Sequence, residues 1–166
     1  MKRALFIGRF QPFHNAHLSD IKRILNENDS VIIAIGSSQE KNTLENPFSY
    51  AERKGMVIAA LKKHSIKDYR IFPIPDFYNN KKWFDCIKKL PKFEVAYSGN
   101  ERVLKILKKH GSKTKKIRLT RGISSTIIRE MMVKGKNWKA LVPEEVADYI
   151  KKIKGVERIK KIYSSC

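Results

Sequence analysis

Between an apolar run and an amphipathic helical pattern, this chain inserts a glycine, an arginine and two histidines. Ala4-Leu5-Phe6-Ile7 reads as a buried first strand, and Leu18, Ile21, Ile24 and Leu25 recur at helical spacing. The residues between them are Gly8-Arg9-Phe10-Gln11-Pro12-Phe13-His14-Asn15-Ala16-His17. A strand, a turn and a helix start in immediate succession make an anion site, because the free N–H groups and the positive dipole end of the helix attract negative charge. With the helix beginning near Asn15, His14 and His17 lie one turn apart over that end. Arg9 adds a permanent charge able to grip phosphate oxygens as a fork. Two blander readings compete. A metal pair would need further ligands, and no Cys, His or carboxylate cluster sits nearby to supply them. A simple helix cap would call for neither the arginine nor the glycine.

The rest of the chain continues this alternation. Strand-like runs at 4–8, 31–36, 70–74, 93–98 and about 116–119 alternate with helical patterns near 16–27, 49–64, 80–90, 100–110, 124–134 and 143–154. Right-handed βαβ crossovers follow, so the expected fold is α/β: a doubly wound parallel sheet of about five strands with helices on both faces. Ligands in such sheets bind beyond the carboxyl ends of the strands, where strand order reverses. Gly8-Arg9 and Ser98-Gly99-Asn100 both fall at such ends. Neither GxGxxG in the first turn nor a GxxxxGK[ST] loop is present, so neither common phosphate loop is in use.

With 166 residues, the chain suits one domain over 1–166, with C-terminal helices from about 143. No linker-like or repeated tract divides it. A strand at the very start leaves no room for a signal peptide, and no apolar run approaches a membrane span. Cys86 and Cys166 are the only cysteines, which fits a reducing cytoplasm better than a disulfide framework. The charge is extreme: 36 Lys plus Arg against 16 Asp plus Glu, a formal +20. That excess suits a nucleic-acid partner, a small polyanion steered to a cleft, or a lysine-rich solvated surface. The lysines are spread over many helical segments, and no RNA-binding aromatic motif accompanies them. Solvated surface is the favoured reading, with nucleic acid as the minority one.

Two separated motifs carry a resemblance. The first ten-residue stretch resembles the (H/T)xGH signature of the nucleotidyltransferase superfamily, with Ala16 where the family has glycine. The second signature, ISSTxxR, has its counterpart in Ile123-Ser124-Ser125-Thr126-Ile127-Ile128-Arg129. Further stretches are similar to the archaeal type of nicotinamide-mononucleotide adenylyltransferase. They include Gly36-Ser37-Ser38-Gln39, Thr43 to Phe48 with Glu52-Arg53, Ile74-Pro75-Asp76 with Asn79-Asn80 and Trp83, Tyr97-Ser98-Gly99-Asn100, Leu141-Val142-Pro143 and Gly155-Val156-Glu157-Arg158-Ile159.

The resemblance implies a Rossmann-like nucleotidyltransferase domain and a transferase of NAD biosynthesis. It would move AMP from ATP to nicotinamide mononucleotide (NMN) by direct in-line attack. Sister enzymes acting on phosphopantetheine, FMN or a polyol phosphate are the nearest rival, and a nucleic-acid-binding module is the remote one. Under this reading His14, His17, Arg9 and Arg129 handle the phosphates as catalytic residues. Gly8, Phe10, Gly99, Asn100, Ser124, Ser125 and Thr126 bind ATP, the serines also serving as a helix cap. Asn80, Trp83, Ser37, Phe48 and Arg53 bind the acceptor, with Trp83 stacking on the cationic nicotinamide ring. Trp83, Ile87 and Leu90 also fit a plain core stripe, and Phe48, Glu52 and Arg53 equally fit loop anchoring. Mg2+ would arrive with ATP, held by phosphate oxygens and not by a protein metal site. A homo-oligomer, a hexamer by resemblance, is implied; no membrane partner is expected, and nucleic acid stays the minority reading.

Overall fold

Short apolar runs buried on both sides become the three central strands of a five-stranded parallel sheet in the computed structural model, which describes all residues Met1–Cys166, and the two edge strands are more exposed. In chain order the elements are β1 (Arg3–Gly8), α1 (Asn15–Glu27), β2 (Ser30–Ile35), α2 (Tyr50–Lys63), β3 (Tyr69–Pro73), α3 (Asn80–Lys88), β4 (Val95–Ser98), α4 (Glu101–Lys109), β5 (Thr114–Lys116), α5 (Ser125–Val133), a 3-10 turn (Trp138–Leu141), α6 (Glu144–Lys152) and α7 (Gly155–Ser164). The strand order is β3-β2-β1-β4-β5 and every neighbouring pair is parallel. The chain steps from β1 to β2 in one direction and from β3 to β4 and β5 in the other. Right-handed crossovers therefore put α1 on one face and α3 and α4 on the opposite one. This is the doubly wound α/β architecture expected of the alternation.

Two boundaries differ from expectation. The last strand is Thr114–Lys116, earlier than the apolar Ile117 and Leu119 suggest. Ile117 is buried just past it and its N–H still reaches the Ser98 carbonyl at 3.0 Å, but Leu119 is 81% exposed. The helical pattern expected over 143–154 ends at Lys152, and Lys154, whose φ of 54° is left-handed, separates it from a further helix, α7, beyond that pattern.

The chain divides into two compact units, each made of three stretches. Unit 1 comprises Met1–Arg9, Asp20–Ser38 and Asp68–Leu119, and unit 2 comprises Phe10–Ser19, Gln39–Lys67 and Thr120–Cys166. Unit 1 holds the sheet. Register pairs Leu5 with Ile32 and with Ala96, so these side chains share a face. They pack with Ile7 and Ala34 against Trp83 and Ile87 of α3 and Ile106 and Leu107 of α4. Each such aliphatic side chain contributes about 1.5–3 kcal/mol on burial. The alternate positions Ala4, Phe6 and Ile33 are equally buried, as a sheet covered on both faces requires.

Unit 2 is helical. Ser49 and Glu52 form a capping box at the start of α2. Glycine at 55 is explained by α6: a Cβ there would run into the Tyr149 ring. Arg158 of α7 grips Glu52 through two bonds of 2.7 Å each and donates to the Pro47 carbonyl at 3.2 Å. No helix is long and apolar enough to cross a membrane.

Candidate active site

In unit 2 the two sequence signatures meet at the backbone of one dipeptide. Arg129, 5% exposed on α5, donates from Nη1 to the Gln11 carbonyl at 2.8 Å. Ser125 Oγ donates to the Pro12 carbonyl at 3.0 Å. Ser124 caps α5, its hydroxyl accepting from the Ile127 N–H at 3.2 Å, while Thr126 is exposed in the first turn. The serines thus divide the labour: one satisfies an orphan helix donor, the other ties α5 to the histidine loop.

The loop itself is held by its imidazoles. The His14 N–H donates to His17 Nδ1 at 3.2 Å, and the His17 N–H donates to His14 Nδ1 at 3.4 Å. Their rings stack with centroids 3.5 Å apart and planes 15° from parallel. With both Nδ1 atoms accepting, these bonds assign the proton of each neutral ring to Nε2. Burial lowers His14 to about 4 and, with the charge of His14 adding to it, holds His17 well below its ordinary value. Both are therefore neutral N–H donors at neutral pH. Phe10 and Phe13 wall the His17 ring, at centroid distances of 4.7 and 5.5 Å. Phe10 is itself 1% exposed, and its φ of 53° puts its backbone in the strained left-handed region.

Phe48 and Arg53, also in unit 2, are both completely buried. Both backbone groups of Phe48 bond to the Gln11 side chain, and Arg53 Nε donates to the Ser49 carbonyl at 3.3 Å. These bonds anchor the loop.

In unit 1, Gly8-Arg9, Gly36-Ser37 and Gly99-Asn100 follow the carboxyl ends of the adjacent strands β1, β2 and β4. This is the position where strand order reverses, and where this architecture receives its ligands. Arg9 is exposed there. Asn100 caps α4 by accepting from the Arg102 and Val103 N–H groups at 2.9 and 3.3 Å. Gly99 is exposed beside Leu119, whose Cδ2 would lie 3.7 Å from an added Cβ. Ser37 is buried in a left-handed conformation and donates from Oγ to Asp76 at 2.6 Å. Asn80 is exposed at the start of α3, accepting from Arg102 Nη2 at 2.8 Å. Trp83 is 6% exposed and belongs to the core. With Ile87 it lies in a buried stripe of α3.

Sequence reasoning passed over Gln11, Pro12 and Arg158 as site-supporting residues. Gln11 and Pro12 stood inside the first motif, but nothing in a linear pattern signals a backbone carbonyl as the partner of a distant arginine. No group of three or more His, Cys, Asp or Glu side chains gathers to hold a metal ion.

Comparison with known proteins adds the family. A family model described as "Cytidylyltransferase-like" matches residues 5–131. The nicotinamide-nucleotide adenylyltransferase of Pyrococcus furiosus is 42% identical over 166 residues, covering 96% of this chain and 88% of the relative. That of Picrophilus torridus is 42% identical, covering 98% of each. Among solved structures, a bifunctional NMN adenylyltransferase/ADP ribose pyrophosphatase from Francisella tularensis, complexed with AMP and a manganese ion, superposes with a TM-score of 0.82 at 23% identity. The match covers 98% of this chain and 52% of that one, so this chain spans about half of the bifunctional protein.

Proposed function

The chain belongs to the cytidylyltransferase-like family, and from that premise we infer that it is an enzyme transferring the adenylyl group of ATP to NMN, giving NAD and pyrophosphate. The relatives named nicotinamide-nucleotide adenylyltransferase, matched over almost the whole chain, support this acceptor. A phosphate oxygen of NMN attacks the α-phosphorus of ATP in line. The bond from that phosphorus to the bridging oxygen breaks, and pyrophosphate leaves. The second pKa of a phosphate monoester is about 6, so the acceptor is already largely dianionic at neutral pH and needs no general base. What remains is to bring anions together and stabilise the charge on the transferred group.

For that task we assign the neutral Nε2–H groups of His14 and His17 to phosphate oxygens. Preorganised donors of this kind are worth about 10²–10³ in kcat each. Arg129 and Arg9 supply the permanent positive charge, Arg129 toward the β- and γ-oxygens that depart. Ser124, Ser125 and Thr126 offer the N-terminus of α5. Gly8, Gly99 and Asn100 border the nucleotide, and Asn80, Trp83 and Ser37 belong to acceptor recognition. Magnesium enters as part of the ATP substrate, held by phosphate oxygens and water. A homo-oligomer, hexameric as the resemblance implies, is checked by sedimentation of the purified protein.

The observation that carries this reading is the pair of bonds from Arg129 and Ser125 to the Gln11 and Pro12 carbonyls, which brings both signatures to one loop. Its test is purified protein with ATP, magnesium and a panel of phosphate acceptors, following pyrophosphate release. NMN should be the preferred acceptor, with NAD as product. Faster turnover of phosphopantetheine, FMN or a polyol phosphate would reassign the enzyme to a sister activity. Trp83 separates by its variants. Trp83→Ala should cost about 3–5 kcal/mol of stability through the cavity it leaves. Trp83→Phe should keep the fold while raising the KM for NMN; an unchanged KM would return Trp83 to the core alone.

A further inference from the structure

One buried polar side chain beside the histidine loop has no part in phosphate chemistry as described. Gln11 is 1% exposed, and its amide pairs with both backbone groups of a single residue. Nε2 donates to the Phe48 carbonyl at 2.9 Å, and Oε1 accepts the Phe48 N–H at 3.0 Å. Only a carboxamide offers a donor and an acceptor side by side in this way. A carboxylate would set an oxygen against the Phe48 carbonyl.

Phe48 is a fixed reference point. It is fully buried, its ring lies 6.0 Å from the Arg158 guanidinium, and Arg158 also holds the adjoining Pro47 carbonyl. Gly155 of α7 leaves its Cβ position to the Phe48 ring, whose Cε1 would stand 2.9 Å from any added methyl. The other end of Gln11 is its backbone carbonyl, which receives Arg129 Nη1 at 2.8 Å. A chain of contacts thus runs from the C-terminal helix through Phe48 and the Gln11 amide to the arginine of the second signature.

We propose that Gln11 is a positioning residue: its amide fixes the backbone carbonyl that sets the Arg129 guanidinium for phosphate. The inference rests on the assignment of Arg129 to the departing phosphates. It matters because a displacement of about 1 Å in a charge-stabilising group costs on the order of 10²-fold in rate.

The test measures binding of inorganic pyrophosphate by calorimetry, together with kcat and KM for ATP and NMN. Wild type, Gln11→Ala, Arg129→Lys and the double variant are compared. Gln11→Ala should weaken pyrophosphate binding about tenfold and lower kcat by a similar factor, leaving the KM for NMN within about threefold. In the Arg129→Lys background the same change should cost no more than about twofold, because the group it positions is already lost. Equal losses in both backgrounds, or unchanged pyrophosphate binding by folded Gln11→Ala, would overturn the proposal. If Gln11→Ala fails to fold, Gln11→Met keeps the side-chain volume and takes its place. A wild-type protein that binds pyrophosphate but makes no NAD would refute the NMN reading while leaving the Gln11 comparison decisive. One that binds no pyrophosphate would overturn both.

Discussion

His14 and His17 are held neutral, which suits the donor role proposed for them. Each surrenders Nδ1 to the other's backbone N–H, which fixes both the tautomer and the ring orientation. His17→Ala should lower kcat by about 10²–10³, the cost of losing one preorganised donor. It should also lower the melting temperature, because the ring fills space beside Phe10 and Phe13. Steady-state rates normalised to folded protein separate the two effects. Stability should depend on pH through the same rings. An unfolded histidine takes up its proton near 6.5, whereas folded His14 stays neutral down to about 4. Between those values the unfolded chain binds more protons, so stability falls on acidification by about 1.4 kcal/mol per pH unit. Asp20 works in the opposite sense: burial raises it to about 6 despite Arg23, so the folded chain holds that proton longer and gains stability as pH falls. The clean comparison is wild type against His14→Gln, where Asp20 is common to both. Denaturant titrations at pH 6.5 and 4.5 should show wild type losing about 2–3 kcal/mol more than the variant. A parallel loss would mean that His14 takes up a proton as easily folded as unfolded.

At the scale of elements, helix ends and helix contacts do the placing. The start of α2 carries a capping box whose Glu52 is shared with Arg158 of α7. Glu52 sits below the usual carboxylate range: burial pushes it up, but the Arg158 guanidinium and the Ser49 N–H outweigh that. The pair is neither fully exposed nor fully enclosed, with side chains 27% and 19% accessible. Its value should lie between that of a surface pair and that of a buried one. Arg158→Ala is expected to cost about 1–3 kcal/mol, read by denaturant unfolding. Because Arg158 also holds the Pro47 carbonyl next to Phe48, the same variant should lower kcat modestly. Full activity in a destabilised variant would confine α7 to a purely structural role.

For the whole molecule, charge is the dominant property. A formal +20 surrounds an enzyme whose substrates are all anions. Long-range attraction of this kind raises association rates and is screened by salt over about 10 Å at 0.1 M ionic strength. The kcat/KM for ATP should therefore fall about two- to tenfold between low and physiological salt, with kcat nearly constant. A flat salt profile would assign the lysines to a solvated surface that does not steer substrate.

The alternating apolar runs were enough to read a parallel α/β sheet, because strands buried on both faces and amphipathic crossover helices have different periods. The first signature read as an anion site from its residue types at a helix start, and the second was legible through its resemblance to the family motif. That one of Ser124 and Ser125 caps the helix could be read locally, since a cap involves residues three apart, and Ser124 is the one. Folding decided matters that no local pattern encodes. The hydroxyl of Ser125 and the guanidinium of Arg129 find their partners at the Pro12 and Gln11 carbonyls, more than a hundred positions away. Trp83 is buried because neighbouring strands offer it an apolar bed, which its helical spacing alone did not establish. The histidines became neutral because the folded chain excluded water from them, and desolvation belongs to three-dimensional packing and not to residue order.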